Sequence, residues 1–376
     1  MSNDIRIKKG LDIKLKGEAE KTIEKAILSN FYTLRPDDFH GVIPKLISKV
    51  GTKVKAGEPV FFDKSNENVK FVSPVSGEVI EIARGQKRKI LSIKLQADKE
   101  QTYQDNGKFN LDTAKPNEVK AHLLASGCWP FVKQRPYDVI ANPERSPKAI
   151  FISGHASAPL AADLDFTLKG KEAELQAAVS ALGKLTEGKV HISVGAGSSS
   201  PLAGLSGVIL HKVSGPHPSG NVGTLINKID PVNKGEVVWT LAAQDLVIIG
   251  ELLLTGKFNA ERIVALAGSV VEKPRYFLAK IGSEVSTIIY DKGISKKSHD
   301  RIISGNVLSG KQIKSDGNLG YYNNVITIIP EGDDYEMFGW TKPVFNKVST
   351  SRALTFSWLN PNKKYALNTN TNGEHR

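Results

Sequence analysis

The run VHISVGAGSSSPLAG, residues 190–204, passes from β-branched residues into glycine and serine, a composition that in many α/β proteins holds a nucleotide phosphate after a strand. A dinucleotide fingerprint needs Gly-x-Gly-x-x-Gly between a strand and a helix, because each glycine removes a side chain where backbone must approach pyrophosphate or sheet. Gly195 and Gly197 fit, but Ser200 stands in the third position and Pro201 follows it. The next apolar segment, GVILHKV from Gly207, reads as a strand where a helix is required, and no acidic residue occurs before Asp230 to bind a ribose. The other phosphate motif, Gly-x-x-x-x-Gly-Lys-Ser/Thr, is absent from the sequence. The run therefore reads as a turn between strands.

Other reactive residue types are sparse. Cys128 is the single cysteine, which rules out an intrachain disulfide and any cluster or zinc site needing several thiolates from this chain, and points to a reducing compartment. The eight histidines are dispersed, with no His-x-x-x-His or His-Glu-x-x-His pair, so no metal site is expected. In SGPHPSG, residues 214–220, two prolines bracket His217 between glycines. That loop reads first as a structural turn and second as a domain contact, placed to open a helix at NVGTL and offer backbone N–H groups to an anion. No carboxylate stands at a useful spacing, so His217 receives no acid–base role and no catalytic residue is assigned.

The elements that must position such residues fall into blocks. Residues 1–38 form an N-terminal segment. Residues 39–100 alternate short β-type runs with glycine turns: VGTKVKAGEPVFF, VKFVSPVSGEVIEI and RGQKRKILSIKL. Gly51 and Gly57 flanking a turn, and Ser73-Pro74 followed by Gly77, resemble the lipoyl and biotinyl barrel-sandwich fold. Lys64 lies near the hairpin tip where carrier domains are acylated. Its DKSNENVKF context departs from the Asp-Lys-Ala or Met-Lys-Met of carriers and the loop reads as longer, so the barrel is expected to be structural. Within residues 101–256, strands and helices alternate from about Ala149: AIFISGH, KEAELQAAVSALGKLT, KVHISV, GVILHKV, NVGTLINKI, EVVWTL and AAQDLVIIGELLLTG. That order predicts a parallel sheet covered by helices. Residues 257–330 return to strands and read as a β-grasp unit, and residues 331–376 end in a polar run with no obvious packing partner, read as a cut or disordered end.

Lysine and arginine exceed acidic residues 51 to 39, a net charge of +12, yet the basic residues are scattered, as in IRIKKG, KVKAG and GQKRK, with no aromatic platform between them. A solvated basic surface follows, and no nucleic-acid partner. MSNDIRIKKG lacks the apolar core of a signal peptide, and the longest apolar stretch, LVIIGELLLTG, is short and broken by Glu251, so no transmembrane segment is expected.

HGVIPKL at 40–46, FDKSNENVKFVSPVSGEVIEIARGQKRKILSIKL, SGPHPSGNVGTLINKIDPVNKGEVVWT and RIISGNVLSGK together resemble the NqrA family, one of the subunits of the bacterial sodium-translocating NADH:quinone oxidoreductase. The likeness runs from IKKGLDI at Ile7 to FGW at Phe338. It implies an α/β multidomain chain: a lipoyl-like barrel-sandwich hybrid, a Rossmann-like α/β domain and an SLBB-type, soluble-ligand-binding β-grasp domain. The same architecture is similar to one of the subunits of the related ferredoxin-oxidising complex and to the NADH-oxidising flavin subunit of respiratory complex I. Members of the family continue into a helical C-terminal segment, so residues 331–376 are expected to begin a truncated C-terminal region.

Those architectural relatives hold FMN in a glycine-rich loop and carry iron–sulfur cysteines. At the corresponding place this sequence has ASGCWPFVKQRPYDV, with bulky rings where consecutive small residues are needed, so neither flavin nor cluster is expected here. An aromatic and prolyl wall with one cation suits a planar, mostly apolar ligand bearing carbonyl acceptors, and a quinone headgroup meets that description. The candidates are Trp129, Phe131, Arg135, Pro136 and Tyr137, weighed evenly against a reading in which Trp129 and Phe131 are core and Arg135 pairs with a carboxylate. Phe31, Tyr32 and Arg35 in NFYTLRPDDFHG form a second candidate segment, with an ordered linker as the alternative. The resemblance implies a peripheral subunit on the cytoplasmic face of the bacterial inner membrane. In that reading it contributes to quinone binding and assembly, with ubiquinone or menaquinone as substrate and FMN, FAD, riboflavin and iron–sulfur centres in partner subunits. The chain would be part of an NADH:quinone reductase without being catalytic alone; the alternative is a docking scaffold with a vestigial flavin-type pocket.

Overall fold

The computed structural model describes residues 3–289, 299–333, 336–348 and 356–370. The N-terminal segment carries three strands, β1 (Asn3–Arg6), β2 (Glu20–Lys25) and β3 (Phe31–Leu34). Each joins a different sheet.

The barrel follows: β4 (Pro44–Leu46), β5 (Lys53–Val54), β6 (Pro59–Asp63), β7 (Asn66–Val72), β8 (Gly77–Arg84) and β9 (Ile90–Ala97). Two sheets, ordered β3-β9-β8-β5 and β4-β6-β7, pack their inner faces together. Phe61 and Phe71 stack at 4.5 Å inside, with Phe39 tilted against Phe71 at 4.3 Å. A Cβ on Gly77 would collide with the Gln96 carbonyl on β9, so glycine is required where β8 starts. The loop at Lys64 differs from the sequence expectation. It is a two-residue turn, Lys64–Ser65, closed because Asp63 Oδ1 accepts the N–H groups of Ile43 and Ser65 and Oδ2 accepts the Ser65 hydroxyl.

The α/β unit comprises α1 (Pro116–Ala125), β10 (Lys133–Arg135), β11 (Val139–Ile140), β12 (Ile150–Ser153), α2 (Leu164–Thr167), α3 (Glu172–Gly183), β13 (Val190–Gly195), β14 (Ile209–Ser214), α4 (Val222–Ile229), β15 (Val238–Ala242) and α5 (Ala243–Thr255). Its sheet runs β1-β14-β13-β12-β15-β10-β11, parallel from β1 to β15 and antiparallel at β10 and β11. The predicted alternation is present. The chain builds outwards from β12 through β13 to β14, then returns through α4 to place β15 on the other side of β12, so the order reverses between β12 and β15. Helices α3 and α5 cover one face. Gly250 allows their close approach, since a Cβ there would strike the Glu174 backbone. On the other face α4 packs Ile226 against Phe151 and Val238. The Gly195–Ser200 stretch is a turn at the end of β13, with Gly197 at φ +83°, leading into a short helical turn and then β14.

The β-grasp unit has β16 (Glu261–Ala267), β17 (Arg275–Lys280), α6 (Ser286–Ile289), β18 (Asp300–Ser304), β19 (Lys311–Ile313) and β20 (Val325–Pro330), in the order β19-β18-β20-β16-β17-β2. Of the terminal polar run, residues 371–376 lie outside the described residues; within its start Thr369 bonds to Glu331 and accepts from the Gly332 N–H. Just before it Tyr365 is buried, and backbone hydrogen bonds join it to Lys14 and Lys16. Among the described residues no helix is long and apolar enough to cross a membrane.

Strands β13 and β14 bring His191 and His211 together, Nδ1 of the first 3.0 Å from Nε2 of the second, with Phe151 stacked on His191. Burial, then the neighbouring imidazole, lowers His191 to about 4, and burial lowers His211 as well. The folded pair therefore binds fewer protons than the unfolded chain below the ordinary histidine value of about 6.5. Its contribution is complete above that pH and is lost as pH falls towards 4. Melting curves should show the parent Tm dropping across that window, and His191→Gln should flatten the drop; an unchanged slope would remove the pair as its cause.

Candidate functional site

A cavity of about 550 Å3 opens at the carboxyl ends of β12 and β15, where the strand order reverses. Open α/β sheets bind ligands at this place, because loops on either side of the reversal diverge and leave a crevice. Ser153 and Thr240–Ala242 line it from the strands, Asn221–Thr224 from the start of α4, and Asp245 from the first turn of α5. Lys133, Arg135 and Asp138 enter from β10 and the turn after it, and Phe131 and Tyr322 supply the aromatic surface.

The loop before α4 is held by a local network. Ser219 donates to the Gly215 carbonyl, Ser153 to the Gly220 carbonyl, and the Gly220 N–H to Ser157 Oγ, each between 2.8 and 2.9 Å. Gly220 has no room for a side chain, since a Cβ would lie 2.5 Å from the His155 carbonyl oxygen. Helix α4 then starts at Val222 with no side-chain cap from Asn221, and α5 starts after Ala242, which has no capping group. At α4 the Thr224 N–H turns back to the Asn221 carbonyl at 2.9 Å, while the N–H groups before it have no acceptor within the helix, so two helix starts without side-chain caps border one crevice. Beside Gly223 there is open space.

Charge is arranged asymmetrically. Asp138 is shared by Arg135 Nε at 3.3 Å and Lys133 Nζ at 3.9 Å, and the same Lys133 ammonium lies 3.9 Å from the centre of the Tyr322 ring. Asp245 is 2% exposed and bound by Arg262 Nη2 at 2.9 Å, across the boundary with the β-grasp unit. Burial raises its pKa, opposed by Arg262 and Lys133. The Tyr322 hydroxyl donates to the Pro130 carbonyl at 2.6 Å, which fixes its ring as a wall. The crevice thus combines two helix starts without side-chain caps, two cations sharing one carboxylate, and the half-buried ring of Tyr322. Such a site receives carbonyl or anionic oxygens on a flat body.

Of the eight residues singled out in sequence, the structure brings Phe131 and Arg135 to this crevice. Phe131 borders the crevice but is 1% exposed, stacked on Tyr321 at 5.2 Å and on Phe258 at 6.3 Å, so it is chiefly a core ring. Trp129 is fully buried, donates its indole N–H to the Ala141 carbonyl at 2.7 Å, meets Trp239 edge-on, and lies off the cavity wall. Pro136 and Tyr137 are exposed outside the cavity, Tyr137 by 75%. Phe31 lies under the Lys94 ammonium, Arg35 is half-buried before the helical turn Pro36–Asp38, and Tyr32 is buried beside a separate, smaller cavity. Sequence reasoning missed Lys133, Thr240, Asp245 and Tyr322. The one usable signal was the SGPHPSG loop, whose reading as a helix start offering N–H groups matches where α4 begins. Among the described residues no group of three or more histidine, cysteine or carboxylate side chains could hold a metal ion.

The Asp245–Arg262 pair yields a sharp expectation. Arg262→Met leaves a buried carboxylate unpaired and should cost about 3–5 kcal/mol, whereas Asp245→Leu with Arg262→Met should recover most of that loss. Urea midpoints of the single and double variants decide it, and equal midpoints would show that the pair is not holding the wall.

Three descriptions of one family match along the chain: the NqrA N-terminal barrel-sandwich hybrid domain over residues 5–98, the NqrA second alpha/beta domain over 114–258 and the NQRA C-terminal domain over 263–315. The NqrA subunit of the Na(+)-translocating NADH-quinone reductase of Photorhabdus laumondii is 35% identical over 375 residues, covering 99% of this chain and 83% of the relative. The proteins of the same description from Hahella chejuensis and Neisseria meningitidis serogroup A are 36% and 35% identical, with the same coverage. A NAD+-reducing nickel–iron hydrogenase in its air-oxidized state aligns over 61% of this chain and 52% of its own at 10% identity and a TM-score of 0.39, a likeness too slight to carry an argument. Matched along 99% of its length by such relatives, the chain belongs to the NqrA family of subunits of the Na(+)-translocating NADH-quinone reductase.

Proposed function

We propose that this chain is a peripheral subunit of a sodium-pumping NADH:quinone reductase, seated at the cytoplasmic face of the membrane, and that its switch-point crevice takes the headgroup of ubiquinone or menaquinone. It carries no redox cofactor of its own; FMN, FAD, riboflavin and iron–sulfur centres belong to partner subunits, and the isolated chain does not oxidise NADH. The observation that carries the reading is the crevice itself. The Tyr322 ring, backed by the buried Phe131, meets Lys133, Arg135 and two helix starts without side-chain caps in a space of about 550 Å3.

A quinone ring is flat and apolar with an acceptor oxygen at each end. Tyr322 offers a half-buried ring, with the buried Phe131 in the wall beside it, and the start of α4 and the Lys133 and Arg135 cations offer donors for the oxygens. A reduced quinone carries more negative charge on those oxygens, so the same donors favour it electrostatically. The chain's own part is to bind and orient; electrons come from elsewhere in the complex.

The second reading, a docking scaffold with a vestigial pocket, draws on one feature of the barrel. Ile43, Ile47 and Val50 are 59%, 47% and 59% exposed along its edge, interleaved with exposed Lys45 and Lys49, a surface that a partner subunit would cover.

Trp239 adjoins Thr240 of the cavity wall, so tryptophan emission should report a guest. Titration with a short-tailed quinone is expected to quench emission saturably, with affinity reduced about tenfold in Phe131→Leu and in Tyr322→Leu. Linear quenching in the folded parent favours the scaffold, and NADH consumption by the pure chain would sink the claim that it has no redox centre.

A further inference from the structure

A second cavity, of about 310 Å3, lies where the N-terminal segment leaves β2 and turns into β3. Its walls come from Ala26–Ser29, Tyr32 and the end of β17 with the loop beyond. This volume is at the small end of the roughly 300–1,000 Å3 range of ligand pockets, so the guest is a small molecule.

Two polar groups in this wall lack the partners that burial calls for. Lys280 is 7% exposed, and no carboxylate among the described residues comes within ion-pair distance of its ammonium. Its contacts are the Tyr103 hydroxyl at 3.4 Å and the Tyr103 ring at 5.5 Å. Glu261 stands opposite Lys280 in the β16–β17 register and lines the same cavity, yet makes no ion pair with it. Ser283 is 3% exposed and its hydroxyl has no hydrogen-bond partner. A buried ammonium without a counter-charge and a buried hydroxyl without a partner are both unfavourable, and an acceptor bound in the cavity would relieve them.

The rest of the wall is apolar. Leu278 and Ala279 continue it on β17, and Ile27 and Leu28, 61% and 77% exposed, extend it outwards as a rim. A buried lysine in the wall and an exposed apolar rim match a molecule with an anionic head and an apolar tail. Lys25 at the mouth adds one positive charge and Glu261 removes one, which favours a single negative charge over a phosphate dianion.

We infer that this cavity binds a small amphipathic monocarboxylate, its carboxylate held between Lys280 and Ser283 and its tail laid along Leu278 towards Ile27 and Leu28. The site is separate from the quinone crevice and shares no lining residue with it.

Octanoate is the probe, titrated calorimetrically into the full chain, with octanol as the uncharged control. Saturable octanoate binding is expected, at least tenfold tighter than octanol. Lys280→Met should weaken it tenfold or more and Ser283→Ala three- to tenfold, while Lys133→Met in the quinone crevice should leave it unchanged. Lys280→Met should melt no lower than the parent, and octanoate should raise the parent's Tm without moving the variant's. If that variant fails to fold, Ser283→Ala carries the test. Absence of saturable binding, equal affinity for octanol, unaltered binding in the Lys280 and Ser283 variants, or loss of binding in Lys133→Met each overturns the assignment.

Discussion

Three sheet systems cannot lie side by side in water with their outer N–H and C=O groups unpaired, and the first 34 residues satisfy an edge in each of them. Strand β1 closes the parallel sheet by pairing with β14, β2 closes the β-grasp sheet by pairing with β17, and β3 joins the barrel beside β9. Each pairing covers a ladder that would otherwise be open to solvent or to another chain. The path demands close passage. A Cβ on Gly10 would collide with the His217 carbonyl, and one on Gly17, at φ +100°, with the Gly268 backbone. Both cavities depend on this thread. It braces the His217 loop that precedes α4, and its departure from β2 forms the rim of the smaller cavity.

A second tie crosses the three units at one point. The Tyr321 N–H donates to Asp38 beside the barrel, and its ring packs on Phe39 and Phe131. Its neighbour Tyr322 reaches Pro130, and Arg262 reaches Asp245. Aromatic packing there tolerates small displacements, but the buried ion pair does not, because either partner alone is a charge without solvent. The relative placement of α5 and β16 is thus set by geometry around two charged atoms. Since Asp245 and Tyr322 also line the large crevice, its shape is a property of the junction rather than of the α/β unit alone.

Local pattern made the modules legible. Strand and helix alternation from Ala149 depends on periodicity within 6–15 residues, and AIFISGH, KVHISV and EVVWTL each form the strand that their β-branched content predicts. The two-residue turn at Lys64 escaped because it depends on how Asp63 bonds to Ile43, twenty residues earlier. The crevice escaped more thoroughly. Its wall combines residues near 131–138, 218–224, 240–245 and 322, stretches that only the fold makes neighbours. Within WPF, chemistry alone could not separate Trp129 from Phe131. Both rings end buried: the Trp129 indole N–H finds the Ala141 carbonyl, whereas Phe131 packs among Tyr321 and Phe258 and only borders the crevice. The N-terminal segment is polar and irregular in pattern because its strands are short edges that bury little side chain, so periodicity has little to report there.

The glycine run after β13 now has a physical explanation that bears on ligand choice. In a doubly wound sheet the phosphate-binding glycines belong to the turn after the strand at the reversal, which here is β12, not β13. That turn reads SGHASAP. It has the single glycine Gly154, where a Cβ would meet Leu202 and the Ser193 carbonyl, so this glycine serves packing. His155 and Ser157 follow at once, and their side chains engage Ser219 and His217 across the crevice mouth. Those side chains already tie the turn to the facing loop, and a pyrophosphate would have to displace them. The donors that border the crevice are the starts of α4 and α5 and the β10 cations that share Asp138, spaced along its wall beside Tyr322 rather than around a compact loop. A ligand with dispersed acceptors on a flat body uses such donors; one with clustered phosphate charge does not.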